Sequence, residues 1–189
     1  MKVYITRHGE SETNEKKQWT GWADVHLTDS GKSQAKKAGD FLKNVPFDKV
    51  FSSDLARAKE TAENALGVSD YETSELLREI NVGDLARKPL SVISDDERKI
   101  VATDGYVKFN GEAKADFNNR LYEFQKKLES LDCENVAIFT HNGWLRTFLD
   151  TVLGMYVPRK NVCCNNCAIG IFEYNDGSWK LFGWINPDL

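Results

Sequence analysis

The sequence predicts an α/β protein: a three-layer α/β/α sandwich with a mainly parallel central sheet and a short insertion over the active site. Three observations predict it. Short apolar runs alternate with segments of helical period along the chain. Two of those runs, residues 2–6 and 135–140, each deliver a histidine at the carboxyl end of a strand, in Arg7-His8-Gly9 and His141-Asn142-Gly143. Open α/β sheets bind ligands at that edge. Finally, 189 residues at 41% apolar composition suffice for one core, so residues 1–189 read as a single domain.

Taken in order, the strand at 2–6 runs into Arg7-His8-Gly9-Glu10-Ser11-Glu12-Thr13-Asn14. Arg7 is a permanently charged fork suited to phosphate or carboxylate. His8 can act as nucleophile or acid/base near neutral pH. Gly9 lets the backbone turn sharply or approach a bound group. Trp19-Thr20-Gly21-Trp22-Ala23-Asp24 reads as a loop. Thr28 caps a helix whose apolar face is Ala35, Ala38, Phe41 and Leu42, and Pro46 ends it. Lys49–Ser53 is a second strand. It leads to a helix with Asp54 as its cap and Arg57 in its first turn, on the same rim as Arg7. Glu79 stands between apolar neighbours, where burial would favour its protonated form. Residues 86–111 read as a short insertion with one or two helical turns, and 113–131 as a helix faced by Phe117, Leu121, Phe124, Leu128 and Leu131. After the strand at 135–140 a helix carries Leu145, Phe148, Leu149 and Val152 and stops near Gly154. Strands at 168–174 and 179–184 flank Asn175-Asp176-Gly177, a hairpin signal.

Composition excludes several classes. A net charge of -4 gives no global attraction to nucleic acid or an anionic membrane, so an anion site must be a local Arg/His cluster. No apolar run approaches the roughly 20 residues that span a bilayer. A strand starting at residue 2 leaves no room for a signal peptide, and a cytoplasmic location is expected. Cys163-Cys164-Asn165-Asn166-Cys167 lacks the further ligands a zinc site needs. It reads as small residues approaching a buried strand. His26 reads as a loop residue. Trp19, Trp22 and Trp144 either wall the pocket or belong to the core.

Two strand-end histidines, two arginines and a carboxylate suit phosphoryl transfer. Bidentate Arg neutralises a phosphate, imidazole attacks phosphorus, and a carboxylic acid protonates the leaving alkoxide. No metal or other cofactor is needed when Arg and His supply the positive charge. These motifs resemble the histidine phosphatase superfamily, in its phosphoglycerate-mutase-like branch. The resemblance runs through Arg7-His8-Gly9-Glu10 with Thr13 and Asn14, Thr20-Gly21-Trp22, Ser52 to Ala58, Leu77-Arg78-Glu79, Gly111-Glu112 to Arg120, and Thr140-His141 with Gly143, nearly the whole length. It implies His8 as the phosphorylated nucleophile, Glu79 as proton donor, and Arg7, Arg57 and His141 as the phosphate clamp. Asn14, Thr20, Gly21 and Asn142, with the backbone after His141, are the implied substrate contacts. Two positions depart from the family pattern. Asn142 replaces a usual Gly, and Asn is the least costly substitute if that residue needs positive φ. Val82 stands where phosphoglycerate mutases usually carry Tyr, and the insertion is short. The expectation is therefore a phosphatase of small phosphomonoesters, with a phosphoglycerate-mutase-like phosphotransferase and a non-catalytic phospho-ligand binder as alternatives. The partners expected are that phosphate ester and at most a second copy of the chain.

Overall fold

A computed structural model describes residues 1–187. Its elements in chain order are β1 (Lys2–Arg7), α1 (Glu12–Glu15), α2 (Asp29–Leu42), β2 (Lys49–Ser53), α3 (Ala56–Leu66), β3 (Glu72–Ser74), α4 (Asp95–Asp104), α5 (Lys114–Glu129), β4 (Asn135–Thr140), α6 (Asn142–Leu153), β5 (Ile169–Asn175) and β6 (Ser178–Ile185). The sheet order is β3-β2-β4-β1-β5-β6. The first three pairings are parallel and the β1–β5 and β5–β6 pairings are antiparallel.

Side-chain alternation builds the layers. On β4, Val136 and Ile138 face one core, with Phe117, Leu121, Phe124 and Leu128 of α5 and Trp144, Leu145 and Phe148 of α6. Ala137 and Phe139 face the other, with Ala35, Ala38 and Leu42 of α2 and Ala62 of α3. Burying each large apolar side chain contributes about 1.5–3 kcal/mol. Helices thus cover both faces, giving three layers. A third, smaller cluster of Val82, Leu85, Ile93, Val101 and Tyr106 lies under the insertion.

The register positions the site. Arg7 of β1 pairs with Thr140 of β4, so His8 and His141 leave adjacent parallel strands side by side. Gly9 passes against Gly31 near the start of α2; a Cβ on Gly9 would lie 2.5 Å from the Gly31 oxygen. This close backbone approach leaves no room for a side chain at Gly9.

Several expectations change. β3 is a polar, three-residue edge strand that periodicity does not reveal. α2 ends at Leu42, before Pro46, and Phe41 is 51% exposed. Asp54 does not cap α3: its carboxylate receives Arg78 Nε at 2.8 Å, and Asp24 Oδ1 instead accepts the Ala56 N–H at 2.8 Å. The insertion holds more helix than one or two turns, since α4 alone has 10 residues. Trp144 is fully buried and stacks on Phe148, so it belongs to the core. The hairpin turn follows its sequence signal, with Asp176 and Gly177 at φ 50 and 77°. Among the described residues no helix is long and apolar enough to cross a membrane.

Candidate active site

A cleft of about 510 Å³ opens at the carboxyl ends of β1, β2 and β4. Arg7, His8, Arg57, Glu79, Asn14, Thr20, Gly21, Asn142 and Gly143 all line it.

His8 is 4% exposed, and its hydrogen bonds fix its tautomer. Nδ1 lies 2.7 Å from the Gly9 carbonyl oxygen, which only accepts, so Nδ1 carries the proton. Arg57 Nε, which only donates, lies 3.3 Å from His8 Nε2. Nε2 therefore presents a lone pair. Burial, then the charges of Arg57 and Arg7, hold this imidazole well below the usual histidine range, so it is neutral at pH 7. Its backbone is pinned as well. The His8 N–H donates to Thr140 O, and the Gly9 N–H to Thr61 Oγ1, which itself donates to Arg57 O at 2.6 Å.

Arg57 is fully buried in the first turn of α3. Its terminal nitrogens donate to Ala23 O at 3.0 Å and Gly21 O at 2.8 Å. Burial pushes it down to about 10, with Glu79 and Asp24 opposing, and it stays charged at neutral pH. Gly21 thus serves the cleft through its carbonyl, which orients Arg57. Arg7 donates from one terminal nitrogen to Cys164 O at 2.5 Å. Burial lowers it too, with Cys164 and Glu79 opposing. The Cys163–Cys167 loop is a cradle for this end: Cys164 O takes Arg7, while the Cys167 N–H and Asn166 Nδ2 donate to His8 O. None of the four cysteines forms a disulfide, and no group of His, Cys and acidic side chains fit to hold a metal occurs among the described residues.

His141 is fully buried at the N-cap of α6, its ring centroid 5.2 Å from that of His8. Its Nε2 meets Ser53 Oγ at 2.9 Å. Burial, then Arg57 and His8, keep it well below its usual value. Its Nδ1 and Arg7 Nε are buried with no hydrogen-bond partner among the described residues.

Glu79 is half-buried rather than enclosed by its neighbours. Its carboxylate accepts the Ile80 N–H at 3.0 Å and the Gly143 N–H at 2.9 Å. A Cβ on Gly143 would sit 2.2 Å from Glu79 Oε1, so a side chain there would displace the Glu79 carboxyl. The Glu79 carbonyl receives Trp22 Nε1 at 2.6 Å and Arg120 at 2.8 Å. Arg120 also donates to the carbonyls of Leu76 and Arg78 and pairs with Glu112, whose other contact is the Asn81 N–H. One guanidinium thus holds the backbone up to Glu79, and its ion-pair partner Glu112 holds the Asn81 N–H beyond it. The motif running from Glu112 to Arg120 was visible in the sequence, but this role was not.

The remaining expected residues are less direct. Asn14 Oδ1 accepts from Ser11 and Asn166, and so organises the loop at the cleft. Thr20 is tied to Thr13 at 2.6 Å. Asn142 is the first residue of helix α6 and is not among the residues at positive φ, so its position makes no demand for glycine. Its Oδ1 accepts Arg146 Nε at 3.0 Å. His26 is an exposed residue bonded to Glu60. Trp19 lines the cleft. Arg98, Tyr106, Lys114 and Arg159 also line the cleft, and no motif in the sequence singled them out.

Two histidines at the carboxyl edge of an α/β sheet, with two arginines beside them, form an arrangement that can hold an anionic group. The histidine phosphatase superfamily (branch 1) model matches residues 3–187, and the chain belongs to that superfamily. It is 28% identical over 196 residues to the Salmonella paratyphi A protein named "Probable phosphoglycerate mutase GpmB", covering 98% of this chain and 90% of that one. The structure of the open reading frame Rv3214 from Mycobacterium tuberculosis superposes with a TM-score of 0.81 at 26% identity, covering 95% of this chain and 94% of that one. A phosphoserine phosphatase from Entamoeba histolytica, solved with 3-phosphoglyceric acid, shares the fold with a TM-score of 0.80 at 23% identity, covering 98% and 96%.

Proposed function

We propose that the protein is a phosphomonoesterase working through a phosphohistidine on His8. The observation that carries this reading is the His8 tautomer: Nδ1–H held by Gly9 O, and the Nε2 lone pair facing Arg57 in the cleft. Arg57 and Arg7 bind the phosphoryl oxygens of the ester, and the unpartnered Arg7 Nε and His141 Nδ1 offer further hydrogen-bonding capacity to them. His8 Nε2 attacks phosphorus as the bond to the ester oxygen breaks. Glu79, in its acid form, gives its proton to the departing alkoxide. Water then attacks the phosphohistidine, Glu79 takes the water's proton, and inorganic phosphate leaves with His8 regenerated. The two guanidinium groups supply the positive charge, so the reading calls for no metal ion.

Hydrolysis is preferred over transfer because Val82 offers the cleft no polar atom for an acceptor. It is packed beneath Gly21, whose added Cβ would stand 2.6 Å from Val82 Cγ2. Phosphate release from a panel of phosphomonoesters, with a chelator present and a His8→Ala control, tests the proposal. Release by the native protein alone supports it; equal release by the variant rejects it. The mutase names of relatives favour a second reading, transfer to a phosphoglycerate acceptor. Phosphate appearing only as inorganic phosphate in the presence of that acceptor counts against it.

A further inference from the structure

The geometry points to a second anion-binding subsite at the cleft mouth, formed by Lys114 and Arg159, and so to a substrate with an apolar body and a second negative group far from the transferred phosphoryl. This inference rests on the phosphatase reading and names its substrate class.

Five cations line the cleft (Arg7, Arg57, Arg98, Lys114 and Arg159) against one carboxylate, Glu79, in a chain whose net charge is -4. Arg7 and Arg57 suffice for the phosphoryl group. Arg98 is engaged by the Leu90 carbonyl and the Trp19 ring. Lys114 and Arg159 enter no ion pair among the described residues. Lys114 is half-buried, its Nζ fixed by Thr147 Oγ1 at 3.2 Å and set 4.8 Å from the Phe117 ring centroid. The carboxylates that face it, Glu79, Asp150 and Glu112, are held by backbone N–H groups or by Arg120. Burial first, and the Arg159 charge among the remaining causes, lower Lys114, so the two cations repel one another. An anion between them relieves that repulsion.

Helix geometry supplies a length. Thr147, which holds Lys114, lies one helical turn beyond Gly143, which holds Glu79; four residues of α6 rise about 6 Å. The residues that anchor Glu79 and Lys114 are thus about one helical turn apart along α6. The same cleft is lined by Ile80, Val101, Tyr106 and Phe117. These side chains are mostly hydrocarbon, and burial pushes the Tyr106 hydroxyl up to about 12, so it stays a neutral phenol. Such a wall fits a flat apolar spacer better than a polyhydroxylated chain.

The test is a matched pair of esters, 4-carboxyphenyl phosphate and 4-carbamoylphenyl phosphate, equal in shape and different by one charge. Calorimetric titration onto His8→Ala protein reads affinity without turnover, and kcat/KM on the native protein reads the same ratio. The carboxylate is expected to bind about tenfold more tightly. Adding Lys114→Met and Arg159→Met should bring the ratio close to one. A ratio within about twofold, or one that the double substitution leaves unchanged, overturns the subsite. The two proposals fail separately: loss of the charge preference with continued phosphate release rejects only the subsite. Absence of turnover with the preference intact rejects only the phosphatase reading.

Discussion

The floor of the cleft and the wall that 86–111 builds over it are made by different rules. On the floor, His8, Arg57 and His141 are 4, 0 and 0% exposed, and their orientation is set by backbone carbonyls, backbone N–H groups and short side chains. The wall has its own small cluster around Val101 and Tyr106, while Leu90, Val92, Ile100 and Val107 remain 40, 48, 42 and 57% exposed. The histidines and Arg57 are held in place by the sheet and its neighbouring helices, whereas 86–111 is a more lightly packed addition. Substitutions on the floor should therefore affect rate far more than fold, and those on the outer wall should affect neither greatly.

His8→Ala is the sharpest way to break the contrast. Turnover should fall by on the order of a thousandfold or more, while the protein still folds. Steady-state kinetics with a thermal melt checks both halves. Arg57→Lys comes next. It keeps a charge but removes the fork that contacts Gly21 O, Ala23 O and His8 at once, so kcat/KM should fall by about a hundredfold. A fall under about threefold would show that charge alone suffices.

The buried histidines make the floor sensitive to acid. Both are held well below the usual value, so below about pH 6.5 the unfolded chain binds protons that the folded chain refuses. Stability is then fully present above that pH and declines as pH falls. His26 opposes this, because Glu60 raises it, but it is fully exposed and its effect is small. Urea unfolding at pH 7.5 and 5.5 checks the sign; greater stability at the lower pH would contradict it.

Gly143→Ala should be smaller still in rate, roughly tenfold in kcat, because the new Cβ displaces the Glu79 carboxyl while that side chain has room to swing. Val92→Ala, on the exposed wall, should change stability by under about 0.5 kcal/mol.

The same contrast explains what the sequence made legible. β4 occupies Asn135–Thr140 as its apolar run indicated, because a strand buried on both faces leaves a continuous apolar signature. His8, Arg7, Arg57, Glu79 and Asn14 meet in one cleft, with His141 beside His8, since strand ends and a helix start place them by topology. What was not legible depended on contacts distant in the chain. Asp54 looked like a cap, yet Arg78 claims it and Asp24, 32 residues from Ala56, does the capping. β3 is too short and polar to show a period. Asn142 was weighed for positive φ and instead opens a helix. Lys114 and Arg159 belong to no motif, and only their shared place on the cleft distinguishes them.

The proposed reaction turns on a covalent step on His8. Mixing the native protein with a substrate ester, quenching in alkali within one turnover and mapping the phosphoryl group by peptide mass spectrometry tests it most directly. The expected result is one phosphoryl group on His8, absent from His8→Ala. Turnover with no phosphorylated histidine, or with the group on another residue, would rule out a phosphohistidine on His8.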